Sequence, residues 1–104
     1  MVKVFISQPM CGKSEAEIRE ARDAAFARVA EMYVGSGEDV REVPSYMGPT
    51  ASEQMTPLEL LGKSIALMSH ADGAVFAPGW WRARGCRIEH DCAKQYGLEV
   101  IELL

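Results

Sequence analysis

Residues 2–17 read VKVFISQPMCGKSEAE, and this stretch decides the fold. Its first part, Val2–Ile6, is a short run of β-branched and aromatic residues, which is typical of a buried strand. After a polar loop, Ser14 and Glu17 have the spacing of a capping box, an arrangement that begins many helices. The stretch therefore predicts a strand, a loop and a helix in immediate succession.

The same alternation continues along the chain. Three further apolar runs predict strands: Val40–Val43, Gly73–Ala77 and Leu98–Leu104. Thr56 and Glu59 form a second capping box, with Pro57 at the first helical position. A third helix is predicted from about Arg84 to Tyr96, whereas the breakers within residues 44–56 predict a loop.

Apolar residues at helical spacing predict which helix faces are buried. In the first helix, the predicted apolar face consists of Ile18, Ala21, Ala25, Val29, Met32 and Tyr33. In the second helix, it consists of Leu58, Leu61, Ile65 and Met68. Both helices are therefore expected to pack on a sheet through these faces.

The order β-α-β-α-β-α-β predicts a parallel sheet with right-handed crossovers and with helices on both faces. We therefore expect residues 1–104 to form a single three-layer α/β/α domain of the flavodoxin- or Rossmann-like kind. In such folds, ligands bind beyond the carboxyl ends of the strands. These ends are expected at three segments: Ser7–Lys13, Pro44–Met55 and Pro78–Gly85.

The composition narrows the range of possible functions. The 104 residues carry 15 acidic and 11 basic side chains, a net charge of −4, which argues against binding a nucleic-acid polymer. No apolar stretch reaches the length of a membrane span, and no signal peptide is recognisable. Three cysteines without CxxC spacing are typical of the reducing cytoplasm. Because a small domain buries little surface, a homodimer or a larger homo-oligomer is expected.

The loop after the first strand resembles a phosphate-binding loop. Residues 7–14, SQPMCGKS, differ from the P-loop pattern at one position, where Ser7 replaces glycine. The chain is short for a nucleoside triphosphatase, and no predicted strand ends in an acidic residue that would hold magnesium, so that assignment is disfavoured. Two simpler alternatives stay open: the Gly12-Lys13-Ser14 turn binds a phosphate or carboxylate, or Ser14 only caps the helix.

Glu89 is the first candidate for a catalytic role. On the third helix it falls about 100° from Ile88, inside the apolar stripe, where a carboxylate is costly unless it is paired or functional. It also follows a strand-end loop and lies near the helix N-terminus, which favours a nucleophile or a general base. The alternatives are a helix rotated to expose Glu89, or a salt bridge to an arginine at position 82, 84 or 87.

Other features are less specific. Trp80 and Trp81 are predicted either to stack on a flat base or to form a dimer contact or a satellite hydrophobic cluster. Cys86 and His90 share a helix face, but they lack a third ligand, so no metal is expected. Asp72 precedes the third strand, where it is predicted to cap or brace the backbone.

The spacing around Glu89 also carries a resemblance. Gly85, Glu89 and Ala93 are each separated by three residues. With its flanking strands, this block resembles the nucleoside 2-deoxyribosyltransferase superfamily, including its 2′-deoxynucleoside 5′-monophosphate N-glycosidases. The segment Ile6–Met10, together with Gly79-Trp80, Gly85-Cys86 and Glu89, is similar to a small uncharacterised bacterial and phage family placed in that superfamily, the DUF4406 proteins. The resemblance covers nearly the whole chain and implies the strand order 2-1-3-4.

The resemblance implies a glycosidic activity on a small-molecule nucleoside or nucleotide, without a cofactor. Glu89 would attack the anomeric carbon of a deoxyribosyl group and displace the base, and the sugar would then pass to another base or to water. A non-catalytic nucleotide-binding or sensing module on the same scaffold is the alternative. The residues expected to bind the substrate are Ser7, Gln8, Pro9, Met10, Gly12, Lys13, Ser14, Asp72, Gly79, Trp80, Trp81 and Gly85.

Within this set, three parts of the substrate are assigned to different residues by the resemblance. Gly85 would let the sugar approach the backbone. The Gly12-Lys13-Ser14 helix start would suit a 5′-phosphate. Trp80 or Trp81 would flank the base.

The chain departs from the superfamily's pattern at three places. The first strand has Val4 and Phe5 where a tyrosine usually orients the nucleophile. Ser64 replaces a carboxylate, and Ala83 replaces an aspartate or serine. The groups expected to substitute for them are Arg84, Arg87, His90, Tyr46 or residues of a neighbouring subunit.

Overall fold

The computed structural model describes residues 1–104. The strands are β1 (Val2–Ser7), β2 (Val40–Glu42), β3 (Gly73–Phe76) and β4 (Glu99–Glu102). The helices are α1 (Glu15–Met32), α2 (Ala51–Gln54), α3 (Pro57–Met68) and α4 (Arg84–Gln95), with a 3₁₀ turn at Trp80–Arg82. None of the helices is both long enough and apolar enough to cross a membrane. The predicted alternation is confirmed, except that the segment predicted to be loop contains the short helix α2.

The four strands form one parallel sheet in the order β2-β1-β3-β4, which confirms the expected order. β1 lies in the centre, with Val2 opposite Val40 of β2 and Ser7 opposite Phe76 of β3. Because parallel strands point the same way, Ser7 and Phe76 both lie at the carboxyl edge of the sheet. This is the edge at which α/β folds bind their ligands.

Each face of the sheet carries its own hydrophobic cluster. The cluster beneath α1 consists of Val4, Ile6, Ala25, Val29, Val75, Ala77 and Leu103. The cluster beneath α3 and α4 consists of Phe5, Val43, Met68, Ala71, Ala74, Phe76 and Ala93. Val4 and Phe5 are neighbours on β1 but belong to different clusters, since successive side chains of a strand point to opposite faces. The three-layer α/β/α architecture is therefore confirmed.

Both predicted capping boxes are present. The backbone N–H of Glu17 donates to Ser14 Oγ at 3.1 Å, and the N–H of Ser14 donates to Glu17 Oε1 at 3.0 Å. Thr56 and Glu59 repeat the arrangement at the start of α3, at 3.1 and 2.9 Å. These backbone hydrogen bonds lower the pKa of Glu17 and of Glu59 below the ordinary value of 4.5, since they favour the charged carboxylate.

The predicted apolar faces are correct only in part. On α1, Ala21 and Met32 are exposed, and the inward face includes Arg22, which is only 8% exposed. On α3, Leu58 is 76% exposed, because only the C-terminal end of this helix, at Leu67 and Met68, reaches the core. An apolar residue at helical spacing is therefore buried only where a neighbouring layer covers it.

Two strands end in acidic residues, so the expectation that none would do so is wrong. β2 ends at Glu42 and β4 ends at Glu102, because both strands are shorter than the apolar runs that predicted them. Glu42 pairs with Arg22 at 2.6 Å, and Glu102 is hydrogen-bonded to His90 at 2.6 Å.

Candidate functional site

Glu89 lies on the inward face of α4, where 7% of its surface is exposed. The hydroxyl of Ser7, at the carboxyl end of β1, donates a hydrogen bond of 2.6 Å to Glu89 Oε1. The buried face of α4 runs through Cys86, Glu89 and Ala93, whereas Ile88 is exposed. The burial excludes the rotated helix, and the bonded partner is a hydroxyl rather than one of the nearby arginines. The predicted inward position of Glu89 is confirmed.

Burial raises the pKa of the Glu89 carboxyl above its ordinary value of 4.5, because removal from water disfavours the charge. The side chains of Ser7 and Ser64 and the positive charge of Arg22 act in the opposite direction. The carboxyl is thus desolvated, while hydroxyl groups are placed to stabilise its ionised form. Ionisable groups whose pKa is shifted by burial and by specific partners are concentrated at functional sites.

A cavity of about 490 Å³ opens at the carboxyl edge of the sheet. Its walls come from the loop after β1, the first turns of α1, the loop between β2 and α2 with the start of α2, and the middle of α3. Lys13 and Glu15 are the charged side chains of this wall, and the remainder is polar or apolar. The volume is within the range of about 300–1,000 Å³ that is usual for small-molecule sites.

Ser64 connects this cavity to Glu89. Its residue lines the cavity on the α3 side, and its side chain is one of the two that support the charge of Glu89. Glu89 itself is not part of the cavity wall. A ligand in the cavity therefore meets Ser64 first, with the carboxyl of Glu89 behind it.

A buried arginine holds one wall of the cavity in place. Arg22 donates to Glu42 Oε2 at 2.6 Å, to Gln8 Oε1 at 2.7 Å, and to the hydroxyl of Ser45. Gln8 in turn donates through Nε2 to the backbone carbonyl of Ile18 at 2.9 Å. The network joins α1 to the carboxyl ends of β1 and β2, and it fixes Ser45 in the cavity wall.

Tyr46 is the aromatic residue of the cavity wall. The guanidinium of Arg19 lies 5.3 Å from the centroid of its ring, within the range of a cation–π contact. Arg19 also pairs with Glu15, its neighbour one turn earlier on α1, at 3.0 Å. A flat ligand in the cavity would therefore meet the aromatic ring of Tyr46, which Arg19 of α1 also contacts.

The loop after β1 contributes only some of its expected binding residues. Met10, Gly12 and Lys13 line the cavity, whereas Ser14 is exposed and caps α1. The backbone N–H of Lys13 donates to the carbonyl of Met10 at 3.2 Å, and that of Ser14 donates to Glu17. The predicted helix cap is thus confirmed, and the N–H groups of Lys13 and Ser14 have partners within the chain.

The two tryptophans do not line the cavity. The ring of Trp80 stacks on His90, with centroids 4.1 Å apart, and lies 5.5 Å from the ring of Phe76. His90 is held in turn by Glu102. Trp81 stands perpendicular to Trp80 and is 46% exposed. The structure therefore supports the hydrophobic-cluster interpretation for Trp80.

The remaining predicted binding residues also lie outside the cavity wall. A Cβ atom on Gly79 would lie 3.9 Å from Pro9 Cγ, so these two loops approach each other closely. Gly85 occupies the first turn of α4, with open space where a side chain would stand. Asp72 lies at the amino edge of the sheet, where it accepts the backbone N–H of Lys3 at 2.8 Å. Its predicted role in bracing the backbone is confirmed, and the structure separates it from Glu89.

Two of the residues expected to assist Glu89, Arg84 and Arg87, form no hydrogen bond or ion pair with it. Arg84 and Arg87 are exposed, and Arg87 donates to the carbonyl of Trp81. The two hydroxyls that support Glu89 instead belong to Ser7 and Ser64. Arg22 was missed altogether, although it stands four residues after Ile18 and seven before Val29, in the same inward stripe. This helical spacing was the sequence signal that could have identified Arg22 as an inward-facing residue.

The cysteines and the acidic residues form no further centre. All three cysteines are free, and burial raises the pKa of the Cys86 thiol to about 11, so it stays protonated at neutral pH. No group of three or more His, Cys, Asp or Glu side chains is arranged to hold a metal ion.

Comparison with known proteins assigns the chain to a family. A search of the curated proteins finds no match. Residues 2–102 match the family described as Domain of unknown function (DUF4406). The matched segment contains all four strands, together with Ser7, Ser64 and Glu89. The chain therefore belongs to the DUF4406 family.

Proposed function

We propose that the chain is an N-glycosidase or deoxyribosyltransferase that acts on a nucleoside or its 5′-monophosphate through Glu89. The observation that carries this proposal is the buried Glu89 carboxyl, bonded to Ser7 at 2.6 Å, behind Ser64 in the wall of a small-molecule cavity. The sequence resemblance to the nucleoside 2-deoxyribosyltransferase superfamily supports the same chemistry. In that resemblance, Glu89 takes the place of the superfamily's carboxylate nucleophile.

The proposed reaction has two steps. A Glu89 oxygen forms a bond to the anomeric carbon while the bond from that carbon to the base nitrogen breaks. The base leaves with the electron pair and takes up a proton. Water or a second base then attacks the anomeric carbon and releases the Glu89 carboxylate, as in retaining glycosidases. Ser7 and Ser64 take the positioning role, since each favours the charged form that attacks.

The residues of the cavity wall can orient a nucleoside. Tyr46 presents an aromatic ring on which a base can stack, and Ser45 and Ser52 provide hydroxyl groups in the same wall. The sugar would then face α3, with its anomeric carbon directed to Ser64 and Glu89. A ligand bound there would exclude water from the cavity, which strengthens each electrostatic contact inside.

A non-catalytic nucleotide-binding module is the second candidate. The observation that favours it is the position of Glu89 behind Ser64, outside the cavity wall. If Ser64 keeps this position when a ligand binds, the carboxyl does not reach the anomeric carbon. The same cavity would then bind a nucleotide without cleaving it.

Release of free base separates the two candidates. The protein is incubated with 2′-deoxynucleosides, ribonucleosides and their 5′-monophosphates, with and without an acceptor base, and free or exchanged base is measured by chromatography. We expect release by the parent, and a loss of at least about 10³-fold in the Glu89→Gln variant with binding retained. Glu20→Gln, which changes an exposed carboxylate of α1, is the matched control.

Either outcome is informative. Retained activity in Glu89→Gln would exclude this residue as the nucleophile. Ligand binding by the parent without any base release would favour the binding module. The expected homo-oligomer and the expected cytoplasmic location stay predictions, the first of which sedimentation measurements can test directly.

A further inference from the structure

The outer side of α3 is apolar, although much of it faces solvent. Leu58 is 76% exposed, and Leu61 and Ile65 are only partly buried. Because residues advance by about 100° each around a helix, these three side chains fall within an arc of about 60°. Gly62 lies beside them, exposed and with open space where a side chain would stand. We call these four residues the α3 strip.

The opposite side of α3 is already occupied within the chain. Leu67 and Met68 pack against the cluster beneath α3 and α4, whereas Leu60 and Ser64 line the cavity. The contacts of α3 with the core are therefore at its C-terminal end, and the strip is left on the surface. Contiguous exposed apolar surface of this kind is typical of interaction sites.

The charges of α3 indicate which partner the strip fits. Glu59 and Lys63 are the only charged residues of this helix, and they lie one turn apart on the same side of the strip. Neither belongs to an ion pair within the chain. In a two-fold contact the same surface of both copies meets, so two α3 helices would run antiparallel with these borders facing each other.

Such a pairing matches opposite charges. With the two-fold axis at the middle of the strip, Glu59 of each copy lies opposite Lys63 of the other copy. Leu58 then faces Ile65 across the contact. A parallel pair would instead place Glu59 opposite Glu59 and Lys63 opposite Lys63, which is unfavourable. The strip is therefore complementary to a second, antiparallel copy of itself.

We propose that the α3 strip is the interface of a homodimer, in which two α3 helices pack antiparallel about a two-fold axis. Because Gly62 has no side chain, the helix axes can approach closely at the middle of the contact. The partner then holds from outside the helix that carries Ser64 in the cavity wall. This interface goes beyond the proposed activity and does not depend on it.

Sedimentation of the full chain over a dilution series tests the interface. We expect the parent to be a dimer that dissociates on dilution, and Leu58→Asp to raise the dissociation constant at least about 100-fold. Leu58 is the second residue of α3, where an acidic side chain suits the helix dipole, so the monomer should keep its fold. Circular dichroism checks this. Val34→Asp makes the same change at an apolar residue that is 79% exposed after α1, and it should leave the dissociation constant unchanged.

Exchange of the two charges tests the antiparallel pairing. Lys63→Glu places glutamates opposite each other across the axis, and Glu59→Lys places lysines there. Each variant alone should dimerise at least about tenfold more weakly than the parent. In an equimolar mixture both opposite-charge pairs can form again, so the two variants should associate with each other more tightly than either does with itself. Glu59→Lys also loses its capping bond, but this loss is the same in either dimer.

Each result supports the proposal or contradicts it. A parent that stays monomeric at every concentration would overturn it. So would a Leu58→Asp variant that dimerises as tightly as the parent, because the interface would then lie on another surface. A mixture that associates no better than the separate charge variants would exclude the antiparallel arrangement. None of these results depends on whether base is released.

Discussion

At the residue scale, Ser7 is the closest partner of the proposed nucleophile. Its hydroxyl donates to Glu89 Oε1 at 2.6 Å in a buried environment, where hydrogen bonds to a charged group are strong. Because this bond favours the carboxylate, its loss raises the pKa of Glu89 further. We expect Ser7→Ala to lower base release about 10- to 100-fold, which corresponds to a lost hydrogen bond of about 1.5–3 kcal/mol.

The measurement that checks this prediction is a pH profile of base release. Activity that needs ionised Glu89 should rise with pH, and the midpoint of that rise should move to higher pH in Ser7→Ala. Ser52→Ala removes a hydroxyl from the cavity wall without touching Glu89 and serves as the control. An unshifted midpoint in Ser7→Ala would mean that the serine only packs against α4.

Glu89 also predicts a trade-off between function and stability. Its pKa is raised in the folded protein, so its favourable contribution is complete below the unfolded value of 4.5 and is lost as the pH rises through the folded pKa. At pH 7, above the unfolded value, the raised pKa of Glu89 therefore lowers the stability of the fold, and glutamine carries no such cost. We expect Glu89→Gln to raise the free energy of unfolding by about 0.5–2 kcal/mol at neutral pH.

Denaturant titrations of the parent and of Glu89→Gln, at pH 7 and below the ordinary pKa of Glu, measure this difference. The gain should shrink at the acidic pH, where the parent carboxyl is protonated too. A variant less stable than the parent at pH 7 would show that the Ser7 contact outweighs the desolvation of the charge.

At the element scale, Arg22 ties α1 to the ends of two strands and to the cavity loop. Its partners are Glu42, Gln8 and Ser45, and its own side chain is 9% exposed. Removing one member of a buried ion pair leaves the other charge uncompensated, at a cost of about 3–5 kcal/mol. Glu42 is 27% exposed, so water relieves part of this cost. For Arg22→Met we expect a loss of about 3 kcal/mol in the free energy of unfolding.

The double variant Arg22→Met/Glu42→Gln isolates the ion pair. It should be more stable than Arg22→Met alone, because the unpaired carboxylate is removed as well. Arg41→Met, which breaks an exposed pair with Asp39, is the matched control and should cost less than about 1 kcal/mol. Equal losses in the two single variants would argue against a special role for the buried network.

Helix starts were the elements that local sequence could predict best. A capping box needs only residues three apart, so Ser14 with Glu17 and Thr56 with Glu59 were recognisable without knowledge of the fold. Burial depends on the neighbouring layer, and sequence spacing does not show that layer. Leu58 is consequently exposed despite its position in the predicted stripe.

In the candidate site too, some features are visible in the local sequence and others depend on how the elements pack. Glu89 was predictable because a carboxylate within the apolar stripe of a helix is unusual and can be recognised from the local sequence. Its contacts with Ser7 and Ser64 join residues 82 and 25 positions away in the chain, and they depend on how α3 and α4 pack on the sheet. Trp80 was assigned a place in the ligand site as an alternative, but its ring is occupied by His90, which the loop sequence could not indicate.

At the scale of the whole molecule, strand order explains why the site forms. The order β2-β1-β3-β4 places β1 in the centre, so the loop after it lies between the end of β2 and the helices that flank β3. Even-numbered and odd-numbered positions of β1 face opposite layers, which directs Ser7 to the side of α3 and α4. The alternation of strands and helices predicts that the carboxyl ends of the strands lie at one edge of the sheet. The register between neighbouring strands then determines which side chains meet at that edge.

The pH dependence of the protein's stability should reflect two groups of carboxyls whose pKa values are shifted in opposite directions. The pKa values of Glu17 and Glu59 are lowered by their capping hydrogen bonds, so their stabilisation is complete above 4.5 and is lost as the pH falls through their folded pKa values. Glu89 acts in the opposite sense, since its raised pKa favours the folded protein in acid. The acid loss of stability is therefore a difference between these contributions.

Thermal unfolding followed from about pH 7 to about pH 3 should separate them. Relative to the parent, Glu17→Gln/Glu59→Gln should lose less stability in acid, because glutamine keeps the capping geometry without a titrating charge. Glu89→Gln should lose more, because it lacks the carboxyl whose protonation favours folding. Glu20→Gln/Glu31→Gln, at exposed positions without capping bonds, should follow the parent. If the two test variants and the parent decline in parallel, then neither the capping boxes nor Glu89 controls acid stability, and other carboxylates do.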